Sequence, residues 1–126
     1  MKSVMYMSVV SPYLPHSATD DIAMKASVFN EARGITGILI RKGRYFIQYI
    51  EGEESKIDEL MTIIGRDDRH SDIVVLDEGV VEERLFKDWH LQTNEIIIGI
   101  LMKKLQDDSR DHINRGFYFL SALFED

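Results

Sequence analysis

The side chains with chemistry to offer in this chain are Tyr6, Asn30, Gln48, Arg69, His70 and Trp89. A phenol such as Tyr6 gives up one electron readily and carries a proton with it. Gln48 and Asn30 each present a donor and an acceptor on one rotatable amide, and Arg69 supplies a fixed positive charge suited to a phosphate. Singly, each has an ordinary reading. A strand tyrosine packs, a glutamine near a strand end is solvated, and Asn30, four residues before Gly34, sits in a fraying helix end. Arg69, His70 and His90 read as surface, and Trp89 as core. Enzyme chemistry is not visible. There is no cysteine, no Gly-rich phosphate loop and no helix with metal-spaced histidines. His70 and His90 have no evident nucleophile partner. The adjacent pairs Asp67-Asp68 and Glu82-Glu83 read as solvated faces.

Positioning these groups falls to a short series of elements. Val4 to Val10 reads as a strand with Val4, Tyr6 and Ser8 on one face, and Pro12 and Pro15 end it. A helix is expected from about Thr19, capped by Thr19 or Ser17, with Asp20 and Asp21 in its first turn. Ile22, Ala26, Phe29 and Arg33 share one side, and Gly34 stands where a C-terminal glycine cap belongs. Ile35 to Ile40 and Tyr45 to Ile50 form two strands joined around Lys42-Gly43. A second helix, about Ser55 to Gly65, carries Ile57, Leu60, Met61 and Ile64 at helical spacing. Ile73 to Leu76 is a further strand, and a shorter one falls near Trp89 to Thr93.

The order is an α/β (α+β) ferredoxin-like β-α-β-β-α-β sandwich with an extra strand. In that topology the first and third strands are neighbours, so Tyr6 and Gln48 can meet. Their parity puts each on the face of apolar neighbours. From Glu95 the pattern is helical again, through Ile96, Ile97, Ile100, Leu101 and Leu105, then Ile113, Phe117, Leu120 and Leu123. Two C-terminal helices covering the other sheet face would explain it. The expected division is residues 1–94 for the sheet domain and 95–126 for the helical extension.

The 126 residues are 44% hydrophobic and 29% charged, which fits one globular domain. The net charge of −7 comes without a basic stripe, which argues against nucleic-acid binding. The absence of thiols suits a cytoplasmic setting. The longest apolar run, Ile96 to Met102, is far short of the roughly 20 residues of a membrane helix.

Five islands stand in register: Tyr6-Met7-Ser8, Asn30 to Gly37, Phe46 to Gly52, Arg66 to His70, and Phe86 to His90. Together they closely resemble the BLUF family, sensors of blue light using flavin, in its short single-domain form. The resemblance covers about residues 2 to 94. It implies a flavin held without covalent attachment between the two helices on one sheet face, FAD first, with FMN and riboflavin as alternatives. It implies that Tyr6 and Gln48 carry the photochemistry beside the ring, that Asn30 binds the ring's amide edge, and that Arg69 and His70 lie toward the ribityl and phosphate side. Ile22, Phe29, Leu39 and Ile64 join the cofactor-binding set, and Trp89 joins the photoactive one. Two departures are visible. Phe29 stands where many members carry a polar residue, and Leu91 where a methionine is usual. The expected output is association with a downstream protein partner or a homo-oligomer, through the Trp89 strand and the surplus Ile96, Ile97, Ile98, Ile100 and Leu101. The competing class is a light-independent docking module that has lost flavin, against which the intact Tyr6, Asn30 and Gln48 stand.

Overall fold

The computed structural model describes residues 1–15, 17–91, 99 and 101–103. Its elements run β1 (Lys2–Val10), α1 (Ser17–Ala32), β2 (Thr36–Lys42), β3 (Tyr45–Gly52), α2 (Glu54–Gly65), β4 (His70–Val80) and β5 (Trp89–Leu91). The sheet order is β4-β1-β3-β2-β5. The first four strands pair antiparallel, and β5 pairs parallel with β2 through Gly37–Leu39. This is the ferredoxin-like arrangement with its extra strand.

The interior strands β1 and β3 are buried along almost their whole length, as strands covered on both faces must be. Alternation divides their side chains into two layers. Val4, Tyr6 and Ile50 join Ile57, Leu60 and Ile64 of α2 on one face, and Val10, Leu39 and Phe46 continue that side toward α1. Met5, Met7, Ile38, Ile40, Ile47 and Tyr49 form the opposite layer with Leu76, Phe86 and Leu101. Leu101 is fully buried there. The remainder of the helical extension expected over 95–126, with its isoleucine-rich surface, lies outside the described residues.

Several boundaries run a residue or more beyond expectation, β1 back to Lys2, β2 on to Lys42 and β3 on to Gly52 among them, and two have a plain cause. Helix α1 already includes Ser17, because Pro15 supplies a carbonyl to the Ala18 N–H at 3.1 Å. Strand β4 extends well beyond Ile73–Leu76, since β1 offers it partners from Lys2 to Val10. Its Ser71, Asp72, Asp77 and Gly79 are poor strand formers that the pairing overrides. The end of α1 is as expected. Gly34 adopts φ 66, and the Ile35 N–H reaches the Asn30 carbonyl at 2.9 Å while Gly34 N–H reaches Glu31 at 3.2 Å, the Schellman pattern. No helix among the described residues is long and apolar enough to cross a membrane.

Candidate functional site

The register between β1 and β3 sets Tyr6 directly opposite Gln48. Both point to the helix-covered face and are 3% and 5% exposed. The Tyr6 hydroxyl donates to Gln48 Oε1. Burial, and secondarily the charge of Asp67, pushes the Tyr6 phenol well above its ordinary range. Tyr6 therefore remains a neutral proton donor at physiological pH. On the far side of Gln48, β2 presents Leu39 as its cross-strand partner.

A cavity of about 200 Å³ opens above this pair, between α1 and α2. Tyr6, Ile22, Phe29, Asn30, Leu39, Gln48, Ile64, Arg69 and His70 all line it. The full set expected to bind the cofactor is thus brought around one space. Asn30 comes from the last turn of α1 and is 1% exposed, yet neither its Oδ1 nor its Nδ2 has a partner. Buried amide atoms left so cost about 1–3 kcal/mol each. They form a donor and an acceptor side by side, which fits the adjacent N–H and C=O of a flavin ring's amide edge. Phe29 is held from behind by Arg33, whose guanidinium lies 3.5 Å from the ring centroid. Arg33 also reaches Glu59 of α2 at 3.7 Å, linking the two helices.

Charged groups gather where the lining is more exposed. Lys25, Asp67 and Arg69 all contribute to it. Arg69 is fully engaged with Asp67 through Nε, at 2.9 and 3.0 Å to the two carboxylate oxygens, and through Nη2. The Arg69 guanidinium bonded to it holds the Asp67 carboxyl below the usual carboxylate range. This corrects the reading of Asp67-Asp68 as a plain solvated face: Asp68 is exposed, but Asp67 is a cavity residue that neutralises Arg69. His70, the first residue of β4, donates from Nε2 to the Ile64 carbonyl at 3.0 Å. Its Nδ1 then accepts from the Ser8 hydroxyl at 2.6 Å. Ser8 is wholly buried. Its place two residues after Tyr6 on the same strand face was the one sequence signal for it.

Trp89 is half-buried and packs against both apolar groups on the cavity side, but it does not line the cavity. Its indole N–H is buried without a partner.

Fold and site together define an α/β domain of ferredoxin-like type, a sheet carrying a helix-roofed cavity floored by a tyrosine–glutamine pair. A family model described as sensors of blue light using FAD matches residues 1–92, and the chain belongs to this BLUF family. It is similar to BlrB, a BLUF protein whose dark-state structure superposes with TM-score 0.68 at 32% identity, covering 96% of this chain and 95% of that one. The structure of BlrP1 from Klebsiella pneumoniae with FMN and cyclic diGMP gives TM-score 0.73 at 30% identity, over 96% of this chain and 33% of BlrP1. The photoactivated adenylate cyclase subunit alpha of Euglena gracilis is 33% identical over 76 residues, which is 60% of this chain and 8% of the cyclase subunit. The chain thus spans less than a tenth of that curated relative.

Proposed function

We propose that this chain binds one flavin without covalent attachment in the cavity between α1 and α2 and reports blue light through a rearranged hydrogen bond between Tyr6 and Gln48. The observation that carries the reading is the coincidence of two features in one cavity: a buried Tyr6–Gln48 bond and the unpartnered amide of Asn30. Flavin, when bound, supplies the absorption of blue light and an acceptor for an electron and a proton. Asn30 orients it through paired donor and acceptor atoms, while Ile22, Phe29, Leu39 and Ile64 exclude water. Tyr6 holds its proton at Oη on Gln48 Oε1, the atom through which that proton would leave if the phenol gave an electron to the flavin. Gln48 offers an oxygen to Tyr6 in darkness, and turning its amide exchanges that oxygen for an N–H donor. Output runs to a protein partner or a second copy. Of the C-terminal segment, Leu101 packs into the apolar layer on the far sheet face.

The test is an absorption spectrum of the purified protein in darkness and under blue light. A flavin spectrum that shifts to the red without bleaching, and reverts in darkness, is expected. Gln48→Ala should bind flavin and lose the shift. A colourless protein that takes up no added FAD, FMN or riboflavin would refute the proposal.

A further inference from the structure

Behind the cavity, on the opposite sheet face, lies a carboxylate for which the photochemistry has no use. Glu51, three residues beyond Gln48 in β3, is fully buried. A buried carboxylate is costly unless donors saturate its oxygens. Here Oε2 accepts from the Tyr49 hydroxyl at 2.9 Å and from the Leu85 N–H at 3.0 Å. Oε1 accepts from the Phe86 N–H at 2.8 Å, with the Thr36 hydroxyl at 3.4 Å. Arg84 reinforces the same point, donating from Nη1 to Thr36 Oγ1 at 2.8 Å and to the Glu51 carbonyl at 3.3 Å. Phe86 itself is seated edge-on against the Tyr49 ring, centroids 5.9 Å apart.

The segment so held is the connection from β4 to β5, which lie at opposite edges of the sheet. Residues 81–88 must cross four strand spacings, about 19 Å, without ladder pairing of their own. The crossing is tied at its start by Val81 N–H to the Met1 carbonyl at 2.9 Å and at its end by Gly37 N–H to the Asp88 carbonyl at 3.2 Å. Glu51 holds the middle. Trp89 follows three residues after the held Phe86 amide and opens β5.

We propose that Glu51 is a positioning residue. By fixing the Leu85 and Phe86 amides to the strand that carries Gln48, it sets where Trp89 stands beside the cavity, and with it the rate at which the illuminated state returns. Only the rate rests on the photosensor reading; the placement of Trp89 does not. The chemistry requires a carboxylate. Two oxygens meet three close donors, whereas glutamine has one oxygen and turns an NH2 toward groups that are themselves donors.

The experiment is Glu51→Gln in the full chain. Hydrogen exchange at the Leu85 and Phe86 amides should quicken about tenfold or more, the effect of losing a bond to a charged acceptor. Trp89 is the only tryptophan in the sequence, so acrylamide quenching of its emission reports this site alone and should rise about twofold. Dark recovery should change by about threefold or more, while flavin affinity stays within about twofold, since no cavity residue is altered. Unchanged exchange and quenching in the folded variant would overturn the inference. So would a loss of flavin affinity in step with them, which would mark general loosening. If the wild-type chain shows no light response, the photosensor reading fails, and exchange and quenching still decide the role of Glu51. Should Glu51→Gln not fold, Arg84→Ala alters only an exposed side chain. It should move the same observables in the same direction, and no movement would overturn the proposal.

Discussion

At the scale of single residues, the floor of the cavity keeps a phenol and two amides out of water, Tyr6 and Gln48 paired with each other and Asn30 left open. Tyr6 shows this most directly. Its phenol is fully buried and its pKa is raised, by burial first and by Asp67 second. In the unfolded chain it titrates near the ordinary value of about 10. A group with a raised folded pKa contributes stability that is fully present below the unfolded pKa and lost as pH climbs above it. Between about pH 10 and the folded pKa, Tyr6 should therefore cost about 1.4 kcal/mol of stability per pH unit. Urea unfolding measured across that range should show the slope, and Tyr6→Phe should remove it. An equal slope in the variant would mean that other groups are responsible. The acidic side has the opposite sign. Asp67 has a depressed pKa through Arg69, so its contribution is present above about pH 4 and fades as pH falls.

At the scale of elements, close approach of backbones fixes the floor of the cavity. Gly37 in β2 adopts φ 153, and a Cβ there would lie 1.9 Å from the Tyr49 carbonyl oxygen. Backbone cannot yield as a side-chain tip can, so Gly37→Ala should cost about 3 kcal/mol or more and displace β5, which pairs at Gly37. Gly43, in the β2–β3 turn, has φ 58 and open space around it. Gly43→Ala should cost only about 1 kcal/mol of left-handed strain. Denaturant midpoints of the two variants test the contrast, and comparable losses would contradict it. Much of this layer was legible beforehand. Runs of β-formers and the Lys42-Gly43 turn signal marked β1, β2 and β3, the β-α-β-β-α-β order made β1 and β3 neighbours, and that adjacency brought Tyr6 to Gln48. The ends of β4 were not legible, because Ser71, Asp72, Asp77 and Gly79 carry no strand signal and the strand takes its length from its partner. Asp67 and Glu51 were missed for different physical reasons. The Asp67–Arg69 pair depends on a local turn geometry, and Glu51 meets amides 34 and 35 residues away in the chain. No spacing rule connects those.

At the scale of the whole molecule, one sheet serves both apolar layers, and that couples the cavity to global stability. Val4 and Tyr6 face the helices while Met5 and Met7, between and beside them in β1, face the other layer. Neither layer can be lost without disrupting β1, so the described core should unfold as one unit. A ligand that binds only the folded state then stabilises all of it by mass action. Flavin held at a hundred times its Kd should add about 2.7 kcal/mol to the unfolding free energy. Asn30→Ala removes the paired donor and acceptor that have no partner in the protein itself. If that weakens flavin about tenfold, the same flavin concentration adds only about 1.4 kcal/mol. The variant should also be no less stable than wild type without flavin, because deleting unpartnered buried polar atoms removes a penalty and breaks no bond. Chemical denaturation of both proteins, with and without flavin, separates the two effects. A variant that loses stability equally in both conditions would show that Asn30 serves the fold. A variant that loses only the ligand-dependent part would place Asn30 on the flavin.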